Sequence, residues 1–218
     1  VMGWMLAAAG SFQWYKNQFG MEEQRIEKEG GANAYETLTK EAQQVIAGSE
    51  GLFFLPYLSG ERTPHPDPYA RGCFIGMSLR HQKKHHTRAV LEGVSYGLND
   101  SLSLMKELGV NPNEIILSGG GSRSALWKQM LADIFATPCA MVNALEGAAY
   151  GAAILAAVGV GGFGSVQEAC SSFIQKIETV DPGPNLETYK RNYPIYKSLY
   201  PSLKAQFAKI AESNAVNS

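Results

Sequence analysis

The chain has 218 residues, 45% of them hydrophobic and 18% charged, with 19 basic against 20 acidic side chains. That is enough apolar material for a sizeable core in one or two domains, which argues against disorder and against a disulfide scaffold. A formal charge of −1 argues against a protein whose main business is coating nucleic acid. Cys73, Cys139 and Cys170 are scattered, odd in number and without CxxC spacing, so they read as reduced thiols of a cytoplasmic protein and not as a zinc site.

Residues 1–10 are apolar with no basic stretch before them, which argues against a secretory signal, and they are too short to span a bilayer. They read as a strand, and so abrupt an opening without Met reads as a segment cut from something longer. Residues 11–19 predict a short helix, 21–31 a charged, solvated connection, and 35–46 a helix with Leu38, Ala42, Val45 and Ile46 on one face. Residues 52–55 form a short buried strand halted by Pro56, and 59–71 a loop with Pro64, Pro66 and Pro68 among charges. Residues 72–77 predict another strand and 87–108 a long helix ended by Gly109. From there strand 114–117, glycine turn 118–121, helix 124–135, strand 139–142 and helix 146–158 alternate as an α/β architecture with parallel pairing requires. Residues 147–164 carry no charge, but their Gly and Ala content predicts a helix packed tightly inside a soluble domain, not a membrane span. The apolar positions over 186–212 predict an amphipathic C-terminal helix, kinked at Pro194 and Pro201 and packed on its own domain.

Ser118-Gly119-Gly120-Gly121-Ser122-Arg123-Ser124 is the strongest chemical signal. It lies between a strand and a helix, where backbone amides and the helix N-terminus attract an anion or a ribose, and glycines let a ligand approach the main chain. It is neither GxGxxG nor a P-loop. A ligand site and an ordinary βα turn both fit. Gly147 and Gly151, four apart on one helix face, predict close packing, with pocket lining as the alternative. The charged, proline-rich loop 60–68 suits a substrate or facing-domain contact as well as a surface loop. Residues 71–88 hold five basic side chains with His81, His85 and His86, and read as a solvated loop rather than a phosphate or metal site. Asp100 and Asp133 lie within helices, and no GxSxG or HExxH occurs, so no catalytic residue and no metal ligand is assigned in this chain.

Pro56-Tyr57-Leu58-Ser59-Gly60-Glu61-Arg62-Thr63-Pro64-His65 resembles a loop of the FGGY carbohydrate kinases, the xylulokinase group in particular. Gly72-Cys73-Phe74-Ile75-Gly76-Met77, with His85, Ala89, Leu91 and Glu92 after it, resembles that family's second signature and departs from it at His86. The 118–124 motif followed by 126–134 is similar to the family's adenosine motif, and 146–153 to its next helix. Glycerol kinases usually carry Asn where Ser124 stands, which favours the xylulokinase group.

The resemblance implies an actin-like ATPase, ribonuclease H-like fold: a mixed sheet flanked by helices, incomplete at its N-terminus. Residues 1–218 would be the C-terminal, nucleotide-binding lobe of a two-lobe enzyme, with ATP and sugar between the lobes. The first lobe would bring the sugar-binding residues and the catalytic aspartate, and both phosphate loops would lie outside this chain. The implied reaction moves the ATP γ-phosphoryl group, with Mg²⁺, to the 5-hydroxyl of D-xylulose, and the chain alone would be inactive. Gly119, Gly120 and Gly121 would hold adenosine and inner phosphates, with Ser124, Trp127 or Gln129 bordering adenine. Glu61 and Arg62 would face the cleft. Partners would be the sugar, ATP and the first lobe, with no nucleic acid or membrane; a homodimer is compatible. Ribulokinase, glycerol kinase and a non-catalytic nucleotide-binding module are the alternatives.

Overall fold

The computed structural model describes residues 2–144 and 147–215. Glu146, the expected start of a helix, lies outside them, as does Val1.

Three helices open the fold. α1 (Ala8–Phe19), α2 (Met21–Lys28) and α3 (Ala34–Ala42) precede a two-stranded antiparallel sheet of β1 (Phe53–Leu55) and β2 (Cys73–Ile75). The expected opening strand is absent. Residues 4–6 are instead held by a loop, Trp4 N–H donating to Thr63 Oγ1 and Leu6 N–H to Glu61 Oε1, each at 3.2 Å. The expected connection over 21–31 is largely helix α2. Its charges supply the reason: Arg25 pairs with Glu22 and Glu29, both at 2.7 Å and one turn away, while Glu23 turns inward to Lys83.

α4 (Lys83–Glu107) is the central element and begins four residues earlier than its apolar pattern suggests. Ala89, Val90, Leu91 and Val94 are buried against β1, α1, α3, α5 and α8. A Cβ on Gly93 would fall 2.1 Å from the Phe54 carbonyl oxygen, so the helix lies directly on β1. His85 and Arg88 are buried, which corrects the expectation of a solvated basic loop up to residue 88.

The second sheet is mixed. β3 (Ile115–Leu117) runs parallel to β4 (Cys139–Val142), and β5 (Lys176–Val180) adds antiparallel to the other side of β4. α5 (Ala125–Phe135) connects β3 to β4, and α6 (Gly147–Gly159) and α7 (Val166–Phe173) precede β5. α7 and β5 have no counterpart in the sequence expectation. α6 is not tightly packed: Ile154 is its one buried residue, and Gly147 and Gly151 have no atom within 4 Å of an added Cβ. Among the described residues no helix is long and apolar enough to cross a membrane.

α8 (Leu186–Ala215) runs on through Pro194 and Pro201, both exposed. Tyr189, Tyr196, Tyr200 and Phe207 are buried on its opposite face. Wide aromatic contact offsets the backbone donors that the two prolines remove.

Candidate functional site

β3 ends at Leu117, and the chain turns through a 3-10 segment, Gly120–Arg123, into α5. Gly119 has φ +84°, a left-handed conformation that any Cβ would strain. The turn is closed from within: Ser122 N–H and Oγ–H both donate to the Gly119 carbonyl, at 3.2 and 2.7 Å, and Ser124 N–H donates to Gly121. Gly119 and Gly120 open onto space, with no atom within 4 Å of an added Cβ. Arg123, fully on the surface, stands beside them. The turn therefore offers bare main chain, a helix start and a cation at the carboxyl end of a parallel strand, where open α/β sheets bind ligands.

Ser124 is the N-cap of α5, its Oγ accepting from Trp127 N–H at 3.3 Å. Trp127 is buried beneath the turn. Its indole N–H donates to Ser95 Oγ on α4 at 3.0 Å, and a Cβ on Gly121 would meet its ring at 3.2 Å. Gln129 points elsewhere, its amide donating to Asp133 Oδ1 and to the Asp181 carbonyl, both at 2.9 Å. Of the residues singled out in the motif, the three glycines form the open surface, Ser124 and Trp127 support it, and Gln129 ties α5 to the segment before α8.

A second helix packs on the ring beneath the turn, which the sequence pattern did not reveal. α1 begins after Ala7, whose side chain cannot cap it. Phe12, one turn further, meets the Trp127 ring edge-on at 5.9 Å.

Glu61 and Arg62 have different settings. Glu61 is buried, its Oε1 accepting from Leu6 N–H and, at 2.7 Å, from Arg62 N–H. Burial pushes its carboxyl above the usual range, against those amides. Arg62 is exposed, its guanidinium 5.9 Å from the centre of the Trp4 ring. Gly147 and Gly151 line a cavity of about 430 Å³ with Ile116, Val142, Tyr150 and Ile154, next to Ser118. This meets the alternative reading of those glycines, not the packing one. Among the described residues, no group of three or more His, Cys, Asp or Glu side chains could hold a metal ion.

The family described as "FGGY family of carbohydrate kinases, C-terminal domain" matches residues 1–160. A xylulose kinase of Bacillus subtilis is 37% identical over 204 residues, 93% of this chain and 39% of the relative. A gluconokinase of the same organism is 34% identical over 204 residues, again 39% of its length. The crystal structure of a ligand-bound xylulose kinase from Lactobacillus acidophilus superposes with a TM-score of 0.83 at 30% identity, covering 95% of this chain and 40% of that one. A mixed sheet flanked by helices, with a glycine turn leading from a parallel strand into a helix, is thus a sugar-kinase lobe of the actin-like ATPase fold. The chain belongs to the FGGY family of carbohydrate kinases, and spans about two fifths of the length of the relatives it matches.

Proposed function

We propose that this chain is the nucleotide-holding lobe of a kinase that converts D-xylulose and ATP into D-xylulose 5-phosphate and ADP. The observation that carries the reading is the open glycine turn. Gly119 and Gly120 leave room for a ligand against the main chain, and Gly121 is seated on the Trp127 ring. Adenosine and the inner phosphates lie along 119–121, with Arg123 and the start of α5 beside them favouring negative charge. Ser124 and Trp127 hold that surface in place.

Phosphoryl transfer depends chiefly on positioning and on neutralising charge around the moving group. This chain contributes the positioning of the nucleotide. The carboxylate that takes the sugar hydroxyl proton, and the sugar-binding groups, come from the rest of the full-length protein. Mg²⁺ neutralises phosphate charge in such reactions, but the donors here do not fit a metal centre. The hydroxyls of Ser122 and Ser124 already serve the turn itself.

Xylulose as substrate is supported by 37% identity to one xylulose kinase against 34% to the gluconokinase, each over 204 residues. That margin is narrow, so the substrate panel is the test. With ATP, the full-length protein is expected to show kcat/KM for D-xylulose at least about tenfold above gluconate, L-ribulose and glycerol, roughly 1.4 kcal/mol of discrimination. Equal or higher efficiency on gluconate would transfer the assignment to a gluconokinase. No turnover of any sugar would favour a non-catalytic nucleotide-binding module.

A further inference from the structure

Loop 56–68 holds two separate parts of the molecule, and Glu61 makes the bond to the first of them. Its Oε1 takes the Leu6 N–H at 3.2 Å as well as its neighbour Arg62 N–H. Thr63 Oγ1 takes the Trp4 N–H, and Arg62 lies over the Trp4 ring. Residues 4–6 belong to no strand, so these contacts determine where the chain turns into α1. On its far side the loop is clamped to α8. Tyr200 donates to Asp67 Oδ2 at 2.8 Å, and the His65 ring stacks on Tyr200 at 3.8 Å.

α1 carries this placement to the glycine turn. One residue, Ala7, separates Leu6 from the first helical turn, and Phe12 then abuts Trp127, the ring under Gly121. The Glu61 carboxyl is an expensive group for a purely structural bridge. Its Oε2 is buried with no hydrogen-bond partner among the described residues, and Asp100, also buried, adds a second carboxyl close enough to interact with it. Buried polar atoms left unpaired call for an explanation other than stability.

We propose that Glu61 is a positioning residue for the nucleotide site: through the Leu6 N–H it fixes the lead-in to α1 and hence the alignment of α1 against the glycine turn. The proposal rests on the reading of that turn as the nucleotide site.

Steady-state kinetics of the full-length protein test it. Glu61→Ala is expected to raise KM for ATP about tenfold with the sugar KM unchanged, the effect of losing one aligning hydrogen bond. Glu61→Gln keeps the Oε1 acceptor and stays within about threefold of the parent, on the same reasoning. Hydrogen exchange at the Leu6 amide quickens in the Ala variant and not in the Gln variant. Equal loss across both KM values and kcat, an unaltered ATP KM in the Ala variant, or no rescue by Gln would each overturn the proposal. Should Glu61→Ala fail to fold, Thr63→Val removes the adjacent Trp4 contact alone; an unaltered ATP KM there would overturn it too. Gly120→Val separates the two claims. If it leaves the ATP KM unchanged, the nucleotide reading itself fails. If it raises that KM while Glu61→Ala does not, only the role of Glu61 falls.

Discussion

Glu92 receives hydrogen bonds from three parts of the chain: Gly48 N–H at 2.9 Å and Ser49 Oγ at 2.8 Å, Arg88 Nε at 2.8 Å on its own helix, and Tyr189 OH at 3.1 Å on α8. Arg88 in turn donates to the Val45 carbonyl and to Tyr189 OH. Both charges are buried, so removing one leaves the other uncompensated. Glu92→Ala is expected to cost roughly 3–5 kcal/mol in urea unfolding, and a loss below about 1 kcal/mol would show the network to be incidental. Asp100 makes the opposite kind of prediction. Burial pushes its carboxyl up to about 6, opposed by Tyr193 OH at 2.6 Å and by Lys197, with Glu61 adding to the rise. The folded state thus holds this proton more tightly than the unfolded chain does. Its contribution to stability is full below the unfolded value and is lost as pH rises through about 6. Asp100→Asn should therefore gain about 2 kcal/mol relative to the parent on going from pH 4.5 to 7.5. An equal difference at both pH values would contradict the assignment. Neither residue's role was legible in sequence, because apart from Arg88 their hydrogen-bond partners lie more than 40 positions away in the chain.

At the scale of elements, legibility followed how locally each was determined. The run β3, glycine turn, α5, β4 follows from its own residues: an apolar strand, turn glycines, Ser124 as cap, and an apolar helical face. α2 was missed because its stability comes from charge pairs one turn apart and from Lys83, not from an apolar stripe. β5 was missed because all but one of its five side chains are exposed, so its pairing with β4 leaves little apolar alternation. α6 misled in the other direction. Its composition suits a buried helix, yet one side of it lines a cavity and most of it is exposed. In the site, the glycines were legible, but the support beneath them was not: Trp127 reaches Ser95 across 32 positions. Where helix and strand touch, the tolerance is small. Gly93→Ala would place a methyl 2.1 Å from the Phe54 carbonyl, so α4 and β1 must separate. A loss of at least about 1–3 kcal/mol is expected in thermal unfolding. Unchanged stability would mean that β1 can slide off the helix without cost.

At the scale of the whole molecule, the proposed function separates holding a nucleotide from using it. Glycine turn, α5, α1 and the loop at Glu61 form one connected support, joined through Trp127 and Leu6. The 218-residue chain alone is accordingly expected to phosphorylate no sugar at any substrate concentration, since among the described residues no carboxylate is placed as a base at the turn. Turnover by a pure sample, in a coupled assay for ADP, would contradict that division of labour. The central claim, that the glycine turn receives a nucleotide, is tested most directly by an amide NMR titration of this chain with Mg-ADP. The account predicts selective shifts in the amides of 119–124 and at the start of α5, both abolished by Gly120→Val. Shifts confined to other regions, or signals at 119–124 unmoved by millimolar nucleotide in the lobe and in the full-length protein alike, would show that the turn is only a turn.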